Sequence, residues 1–405
     1  MDILPILATL KRHKTAAGLI VLQVALTCAI VCNALFLIQQ RTERMAMPTG
    51  MPDNELVEVE VSALSGSLAP AVATRADLAA LRNLPSVTAA TLINQRPFGD
   101  NFWVSGVRLK PEAEARDAGA ANYVASEGWL ETLGLRLVAG RDFIAEERMD
   151  VAETERADSR PITAVILNQH LATKLFPDKP AVGEAVYIFG QQPMRVVGVV
   201  QSLLSPAPGG QMDHDLNAFM LPVRPIYIGA VYMLRTAPDQ RADVLKRAEA
   251  ALLKVDPKRV VTHKRFFTEQ RTDYYRQDLN MAWLMAGVCL ALLLVTAVGI
   301  VGLASFWVQQ RTRMIGTRRA LGATRGQILR YFQTENLLLT GIGIVLGMSG
   351  AYGGSLALMR LYELPPLPWF YLPIGAVVLF GLGQLAVLAP ARRAAALPPV
   401  AALRG

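Results

Sequence analysis

Residues with catalytic or metal-binding chemistry are few in this sequence and are scattered along it. The four histidines are His13, His170, His214 and His263, and the chain has no His-Glu-x-x-His, Gly-x-Ser-x-Gly or Cys-x-x-Cys motif. The densest group of possible metal ligands is the Asp-His-Asp run at residues 213–215. Neighbouring positions seldom converge on one ion without further ligands, so a solvated turn is the simpler interpretation. We therefore predict no catalytic residue and no metal site.

The sequence also lacks the residues that nucleotide binding and ion relays need. There is no Gly-x-x-x-x-Gly-Lys-Ser/Thr phosphate loop, so we expect no cofactor in this chain; if its action uses ATP, another subunit must hydrolyse it. The long apolar segments described below contain no Asp, Glu, Lys or Arg, which proton relays need. A proton-coupled carrier is therefore not expected. Cys28, Cys32 and Cys289 lie in those segments and are expected to act as small apolar residues.

The most distinctive segment of the chain is basic. Residues 311–330 read RTRMIGTRRALGATRGQILR and carry six arginines with apolar residues between them. This spacing is typical of a basic amphipathic helix at a membrane surface. Attraction to anionic lipid would explain the arginines alone, and docking against a cytoplasmic subunit is the alternative. The residue pattern by itself is compatible with both.

Four uncharged stretches must position this basic segment. Of the 405 residues, 52% are hydrophobic and only 18% are charged, and the stretches span residues 15–40, 279–310, 336–359 and 364–391. Each is long enough to cross a bilayer core about 30 Å thick, which takes roughly 20 apolar residues in a helix. The first is longer than the core of a signal peptide, and no clear cleavage site follows it. We therefore predict an uncleaved anchor and four transmembrane helices.

The distribution of charge predicts the orientation of these spans. Residues 1–38, 311–335 and 392–405 carry net charges of +2, +5 and +3, whereas residues 39–278 carry −2. Lys and Arg close to transmembrane helices are retained on the cytoplasmic side. We therefore predict that both termini and the basic segment are cytoplasmic and that the large domain is exported. The overall charge of +8 follows from this topology and requires no nucleic-acid partner.

The exported domain has a mixed α and β pattern. Residues 56–93 and 226–263 each read as strand, helix and strand. Two such units that flank an insert at residues 97–220 predict a split ferredoxin-like lobe carrying a second, β-rich lobe. Residues 265–278 contain no Gly or Pro, so we expect a helical stalk there that continues the second span. Residues 39–44 would form the matching extension of the first span.

Glycine recurs in the third span at intervals that place four residues on one helix face. These residues are Gly343, Gly347, Gly350 and Gly354. Such a stripe allows another helix to approach closely. Packing within the chain and contact between two copies of the chain are equally compatible with it.

Several of these segments resemble one family, the FtsX/MacB-like permeases, which are the membrane subunits of type VII ABC transporters. The signature residues are Arg311, Arg313, Ile315, Gly316, the Arg-Arg-Ala-Leu-Gly-Ala run at 318–323 and Glu335. The exported sequences LETLGLRLVAGRDF, VILNQHLATKLFP, VGEAVYIF and VVGVV resemble the MacB-type periplasmic core domain. The C-terminal PARRAAALPPVAALR is similar too. The resemblance covers nearly the whole chain.

The resemblance implies an α-helical membrane protein with four transmembrane helices and a large α+β extracytoplasmic domain. That domain would consist of a ferredoxin-like porter lobe plus an inserted β-rich lobe. The expected organisation is residues 1–44 for the N-terminal cytoplasmic segment, first span and stalk; 45–264 for the periplasmic core domain, with 97–220 as its inserted lobe; 265–278 for the second stalk; 279–310 for the second span; 311–335 for a cytoplasmic coupling helix; 336–359 and 364–391 for the third and fourth spans; and 392–405 for the cytoplasmic tail.

The function implied by the resemblance is that of an inner-membrane ABC permease. It would dimerise, bind a separate ABC ATPase and transmit nucleotide-driven motion to its periplasmic domain, which is called mechanotransmission. The expected result is efflux of a periplasmic substrate through a tripartite assembly with a periplasmic adaptor and an outer-membrane channel. A lipoprotein-releasing or antimicrobial-peptide-resistance permease is an alternative within the family. A membrane sensor or signalling protein and a membrane-anchored hydrolase are alternatives from other classes.

The resemblance also assigns roles to individual residues. ATPase coupling is expected of Arg311, Arg313, Ile315, Gly316, Arg318, Arg319, Leu321, Gly322 and Glu335. Gly316 and Gly322 are expected to allow the turns or the close approach that docking needs. Met314 stands where the family usually has Glu, which removes a charge from the docking helix. A homodimer and a heterodimer with a related permease both stay open.

Overall fold

The structure is a computed structural model of the chain, and it describes residues 14–99, 102–111, 117–154, 156, 158–208, 216–362 and 367–396. These residues belong to two compact units. The membrane unit lies within Met1–Glu43 and Asp278–Gly405, and the extramembrane domain is Arg44–Gln277. The Asp-His-Asp run at 213–215 and the tail beyond residue 396 lie outside the described residues.

The secondary-structure elements alternate between helices and strands only in the extramembrane domain. In chain order they are α1 (Lys14–Ala46), β1 (Leu56–Ala63), α2 (Pro70–Arg82), β2 (Val87–Ile93), β3 (Val104–Val107), β4 (Ala118–Val124), α3 (Trp129–Leu133), β5 (Leu137–Gly140), β6 (Met149–Asp150), α4 (Val151–Thr154), β7 (Ala164–Asn168), α5 (Gln169–Leu175), β8 (Ala185–Val186), β9 (Met194–Val200), β10 (Ala218–Leu221), β11 (Val223–Arg224), β12 (Val231–Thr236), α6 (Arg241–Val255), β13 (Arg259–Phe266), α7 (Phe267–Tyr274), α8 (Arg276–Gln310), α9 (Thr312–Ala320), α10 (Arg325–Tyr362) and α11 (Tyr371–Ala396).

Among the described residues, four helices are long and apolar enough to cross a membrane, and they correspond to the four predicted spans. These helices are α1, α8, α10 and α11. Polar side chains connect α1 to α8. Gln23 Nε2 donates to a carbonyl of α8 at 3.0 Å, and the hydroxyls of Thr27 and Thr296 lie 2.9 Å apart. Near the other end of the same two helices, Arg41 forms an ion pair with Asp278.

The glycine stripe of α10 is divided between two environments. A Cβ atom on Gly343 would lie 2.8 Å from the Val24 side chain, and one on Gly347 would lie 2.6 Å from the carbonyl oxygen of Ala25. These two glycines therefore allow α10 to pack closely against α1. Gly350 and Gly354 have no described atom within 4 Å of the corresponding position. Half of the stripe thus serves packing within the chain, and the other half faces open space.

The ferredoxin-like lobe has the topology that its two β-α-β units predict. Strands β1, β2, β12 and β13 form an antiparallel sheet in the order β13-β1-β12-β2. Helices α2 and α6 pack against this sheet, burying Leu81, Val244 and Leu252 with Val59 and Leu92 of the strands. The apolar faces of both helices are therefore covered by one layer of strands, as expected for an α+β lobe.

The inserted lobe is built on a second sheet. Its strands run in the order β3-β4-β10-β7-β9-β5, and β8 pairs with β9. Helix α5 begins where the side chain of Asn168 accepts a hydrogen bond from the Leu171 amide at 2.9 Å, as N-cap residues do. Strands β4 and β10 lie next to each other inside the sheet. Strand β4 is rich in Ala and Gly, which are poor strand formers, so its pattern carries little strand signal.

The segment expected to form the second stalk differs from that expectation. Residues Phe267–Tyr274 form a separate short helix, α7, and α8 begins only at Arg276. Phe267 is fully buried in the extramembrane domain, where its ring centroid lies 5.8 Å from that of Phe98. The aromatic residues of this segment bury a large apolar area in the core of the domain, and this packing replaces a continuous solvent-exposed helix.

Candidate functional site: the arginine-rich turn

The arginine-rich segment folds as a short helix, a turn and the start of a long helix. Helix α8 ends at Gln310, α9 covers Thr312–Ala320 and α10 begins at Arg325. The expectation of one coupling helix over 311–335 is therefore not met, because residues 325–335 are the first turns of α10. The division occurs at Gly322, whose φ of +95° lies in the left-handed region that glycine adopts without a steric penalty.

Backbone hydrogen bonds define how α9 ends. The Ala323 amide donates to the Arg318 carbonyl at 3.0 Å, and the Gly322 amide donates to the Arg319 carbonyl at 3.2 Å. This pair of bonds is the Schellman motif, in which a left-handed glycine satisfies carbonyl groups at the end of a helix. The Leu-Gly-Ala part of the family signature therefore encodes a sharp stop.

The start of α10 is defined by a capping box. The Thr324 amide donates to Gln327 Oε1 at 2.8 Å, and the Thr324 hydroxyl accepts from the Gln327 amide at 3.3 Å. Sequence reasoning missed this feature, although Thr-x-x-Gln ahead of an apolar run is its usual signature. Together with the Schellman motif, it fixes the direction of the chain on both sides of the turn.

A buried ion pair holds the base of α9. Arg311 Nη1 donates to both carboxylate oxygens of Glu335, at 2.7 and 2.9 Å. The side chains are 9% and 1% exposed, respectively. The guanidinium also lies over the indole of Trp307, 5.6 Å from the ring centroid. This pair joins the end of α8 to α10, so Arg311 and Glu335 lie inside the unit and shape the turn without forming its outer surface.

The inner face of α9 is apolar. Ile315 is 2% exposed and packs in a cluster with Ile328 and Phe332 of α10 and Ala394 of α11. Gly316 is also buried. Since there is no side chain at Gly316, α9 can lie flat against its neighbours. The predicted apolar face is thus present at Ile315 and Ile328, and it contacts protein.

The outer face of the turn presents cations and one large apolar residue. Arg313, Arg318 and Gly322 are exposed, and the Leu321 side chain is 83% exposed. Leu321 does not share the apolar face formed by Ile315 and Ile328. The structure places it on the opposite side, because it is the last residue before the left-handed glycine.

Two adjacent arginines of α9 differ in what they contact. The Arg318 guanidinium lies 4.9 Å from the centroid of the Tyr331 ring on α10. Arg319 donates from Nη1 to the carbonyl oxygen of Ala395, close to the end of α11. Arg319 therefore ties α9 to the last span, whereas Arg318 covers an aromatic side chain from the outside. The sequence could not separate these two roles.

A cleft of about 400 Å³ in the extramembrane domain is another place where charges converge. Arg224 pairs there with Glu127 and, at 3.4 Å, with Asp150. Partial burial raises the pKa of Glu127, but the hydrogen bond and charge of Arg224, together with a backbone hydrogen bond and the charge of Arg148, outweigh this effect and hold the pKa below its usual value. Asp150 also accepts from Arg75 at 2.7 Å. These carboxylates are thus already neutralised by arginines.

Metal chemistry is not indicated by this geometry. Within the part of the chain that the structure describes, no group of three or more His, Cys, Asp or Glu residues is arranged to hold a metal ion. Chemistry at the arginine-rich turn is limited to presenting positive charge and an apolar side chain to another surface. The arrangement suits binding to a macromolecule.

Comparison with protein families matches both parts of the chain. The MacB-like periplasmic core domain model covers residues 18–258, and the FtsX-like permease C-terminal model covers residues 286–399. The first match alone spans more than half of the chain. The second includes the whole arginine-rich turn.

Two relatives illustrate the range of similar proteins. The uncharacterized ABC transporter permease YknZ of Bacillus subtilis is 28% identical over 304 residues, which cover 69% of this chain and 68% of that protein. The macrolide export ATP-binding/permease protein MacB 1/2 of Paracoccus denitrificans is 29% identical over 303 residues, which cover 72% of this chain but 42% of that protein. The chain therefore spans less than half the length of this MacB relative.

Two solved structures are similar to parts of this chain. The extracellular domain of YknZ matches 51% of this chain and 100% of its own, with 16% identity and a TM-score of 0.32. The periplasmic region of MacB from Actinobacillus actinomycetemcomitans matches 57% and 94%, with 14% identity and a TM-score of 0.33. The family assignment depends on the two family models, and by these the chain belongs to the ABC transporter permeases that combine a MacB-like periplasmic core domain with an FtsX-like C-terminal region.

Proposed function

We propose that this chain is the membrane subunit of an ABC transporter whose ATP is bound and hydrolysed, with Mg²⁺, by a separate ATPase subunit. The sequence given contains no phosphate-binding loop. YknZ, which is named as a permease, matches over about the same fraction of both chains. This supports a two-chain arrangement, whereas the MacB relatives are named as combined ATP-binding and permease proteins.

The observation that carries the proposal is the arginine-rich turn. Its conformation is fixed by the Schellman motif, the capping box and the buried Arg311–Glu335 pair, so its outer face is presented without much loss of conformational freedom on binding. That face combines the exposed Leu321 with exposed arginines. An apolar anchor surrounded by positive charge fits a hydrophobic pocket with an acidic rim on the ATPase.

Force would be transmitted from this turn to the extramembrane domain through the helices that it joins. Helix α9 is connected to α8 and α10 by the Arg311–Glu335 pair, and to α11 through Arg319. A displacement of α9 by the ATPase therefore acts on three spans at once. We propose that the inner membrane is the site of action, with both termini and the turn in the cytoplasm, as the charge distribution predicts.

A second copy of a permease would complete the transporter. Gly350 and Gly354 face open space on α10, on the side where small residues allow close approach of another helix. We propose this surface as part of the contact between two permease chains, identical or related. Efflux or extrusion of a periplasmic substrate, with a periplasmic adaptor and an outer-membrane channel, is the use that we propose for the complex.

Co-purification tests the docking proposal. The full chain, tagged and solubilised in mild detergent from its native cell, should bring down a P-loop ATPase. Leu321→Asp should reduce recovery of that ATPase about tenfold or more, since it removes an anchor residue. Ile144→Asp is the matched control, because Ile144 is an exposed residue of the extramembrane domain. Equal recovery with both variants would contradict the assignment of the turn.

A further inference from the structure

A groove between α10 and α11 lies next to the arginine-rich turn and is not used by the proposed docking face. It encloses about 380 Å³ and is lined by Arg330, Gln333, Thr334, Leu337, Phe380 and Gln384. The α10 residues recur at intervals of three and four, so they lie along one face of that helix. The groove therefore runs parallel to the helix axes.

The two ends of the groove differ in polarity. Arg330 lies before the apolar span, in the basic segment, and Leu337 lies seven residues further on, a distance of about 10 Å along a helix. Leu337 and Phe380 are partly exposed, at 36% and 41%. The groove thus begins at a cation in the interfacial region and continues into the apolar part of the spans.

Arg330 and Gln384 each carry a side-chain donor without a partner in the described part of the chain. Arg330 is exposed, and its guanidinium has no ion-pair or hydrogen-bond partner among the residues that the structure describes. Gln384 Nε2 is shielded from solvent and has no hydrogen-bond partner among those residues either. A ligand with anionic oxygen atoms would satisfy the exposed Arg330 guanidinium.

We propose that this groove binds the headgroup of one anionic phospholipid, with an acyl chain lying along Leu337 and Phe380. The charge at one end selects an anionic headgroup, and the apolar end at membrane depth selects a molecule that carries a hydrocarbon chain. A free phosphate ion would satisfy the cation but would leave the apolar end uncovered. The site holds a lipid of the leaflet that faces the arginine-rich turn, and it is independent of nucleotide and of cargo.

Retention of lipid by the purified full chain tests this inference. The chain is equilibrated with phosphatidylcholine bilayers that contain a minority of phosphatidylglycerol, transferred to detergent and measured by native mass spectrometry. The wild-type chain should retain phosphatidylglycerol in preference to phosphatidylcholine. Arg330→Gln should reduce this preference about tenfold, the effect of losing a charge-assisted hydrogen bond.

The matched control is Arg325→Gln. Arg325 is also exposed and lies on the same helix, five residues earlier and outside the groove. This variant changes net charge by the same amount, so its preference should stay close to that of the wild type. If both variants lose the preference for phosphatidylglycerol equally, or if neither loses it, the proposed site would be wrong and general surface electrostatics would explain lipid binding. Displacement of the lipid by millimolar inorganic phosphate would also overturn it, in favour of a free-anion site.

Discussion

Two buried arginine–carboxylate ion pairs, one in each unit, have different structural roles. Asp77 and Arg259 lie in the extramembrane domain with side chains that are 0% exposed, and Tyr232 donates an additional hydrogen bond to the carboxylate. Arg311 and Glu335 lie in the membrane unit where α8, α9 and α10 meet. The first pair connects elements of one lobe, whereas the second fixes the base of a short helix whose outer face is exposed.

The two arginines differ in how many hydrogen bonds they make, although Arg259 Nε has no hydrogen-bond partner among the described residues. Arg259 donates to both oxygens of Asp77 and to the Leu252 carbonyl at 2.8 Å. Arg311 uses one nitrogen for both oxygens of Glu335 and otherwise lies against an aromatic ring. Arg311 therefore has fewer hydrogen-bond partners than Arg259, so breaking its pair should cost less stability than breaking the Asp77–Arg259 pair.

The largest expected effect is the loss of the first pair. Asp77→Ala leaves the Arg259 guanidinium buried without a counter-charge, so the extramembrane domain should lose about 3–5 kcal/mol of unfolding free energy. Hydrogen exchange of the β1 and β13 amides in the full chain measures this loss. Asp243→Ala is the control, because the Asp243–Arg247 pair is about half exposed and such pairs are worth about 0–1 kcal/mol. A loss below 1 kcal/mol in Asp77→Ala would contradict the comparison.

The second pair should give a smaller loss of stability and a specific loss of coupling. Glu335→Gln should destabilise the membrane unit by about 2–3 kcal/mol and reduce permease-stimulated ATPase activity. Exchange at β1 and β13 should stay unchanged. Replacing both partners with apolar residues, Arg311→Met with Glu335→Leu, should restore much of the stability. Destabilisation of the extramembrane domain by Glu335→Gln would remove the distinction between the two pairs.

The glycine stripe extends the comparison to helix packing. Gly347→Val should destabilise the membrane unit by about 1–3 kcal/mol, since the new side chain would overlap with α1. Gly350→Val should leave thermal stability of the detergent-solubilised chain unchanged, because that position is open. If the open half contacts a second permease, Gly350→Val should reduce the dimeric fraction in size-exclusion chromatography with light scattering. Equal thermal stability of both variants would argue against the division of the stripe.

The smallest expected effect concerns the cleft pair Arg224–Glu127, which is partly exposed. Arg224 helps to hold the Glu127 pKa below its usual value. Ionised Glu127 therefore stabilises the folded domain at pH values above that usual pKa. This stabilisation is lost as the pH falls through the lowered pKa. Arg224→Gln should therefore make the stability of the domain less dependent on pH in the acidic range, by less than about 1 kcal/mol. If Arg224→Gln leaves the dependence of domain stability on acidic pH unchanged, the pair does not contribute to stability in solution.

The four spans and the ferredoxin-like lobe were predictable because each depends on a local, repeated pattern. Uncharged runs marked the spans, and strand–helix–strand periodicity marked both halves of the lobe. The Arg311–Glu335 pair was not predictable as a contact, since its members are 24 positions apart and both lie in what was read as one helix. The turn that brings them together depends on Gly322 and on the capping box at Thr324, whose signature is local but was overlooked.

Two other features differ from the expectation: the packing of the stalk segment carries no local signal, whereas the exposure of Leu321 follows from the local helix stop at Gly322. The segment from Phe267 to Tyr275 has the composition of a helical stalk, but its aromatic residues find partners around Phe98 in the domain core. Leu321 fits the apolar face of a helix, yet it is exposed because the helix ends at that residue. Both differences arise because a chain reversal or a distant partner decides which side of a residue is covered.

The central claim is that the outer face of the arginine-rich turn contacts an ATPase. The most direct measurement is photocrosslinking in the native cell, with p-benzoylphenylalanine in place of Leu321 and, in a second variant, in place of Ile144. Mass spectrometry then identifies the crosslinked proteins. The account predicts a P-loop ATPase attached at position 321 and none at position 144. Crosslinks from position 321 only to lipid, or to proteins without a P-loop, would contradict it.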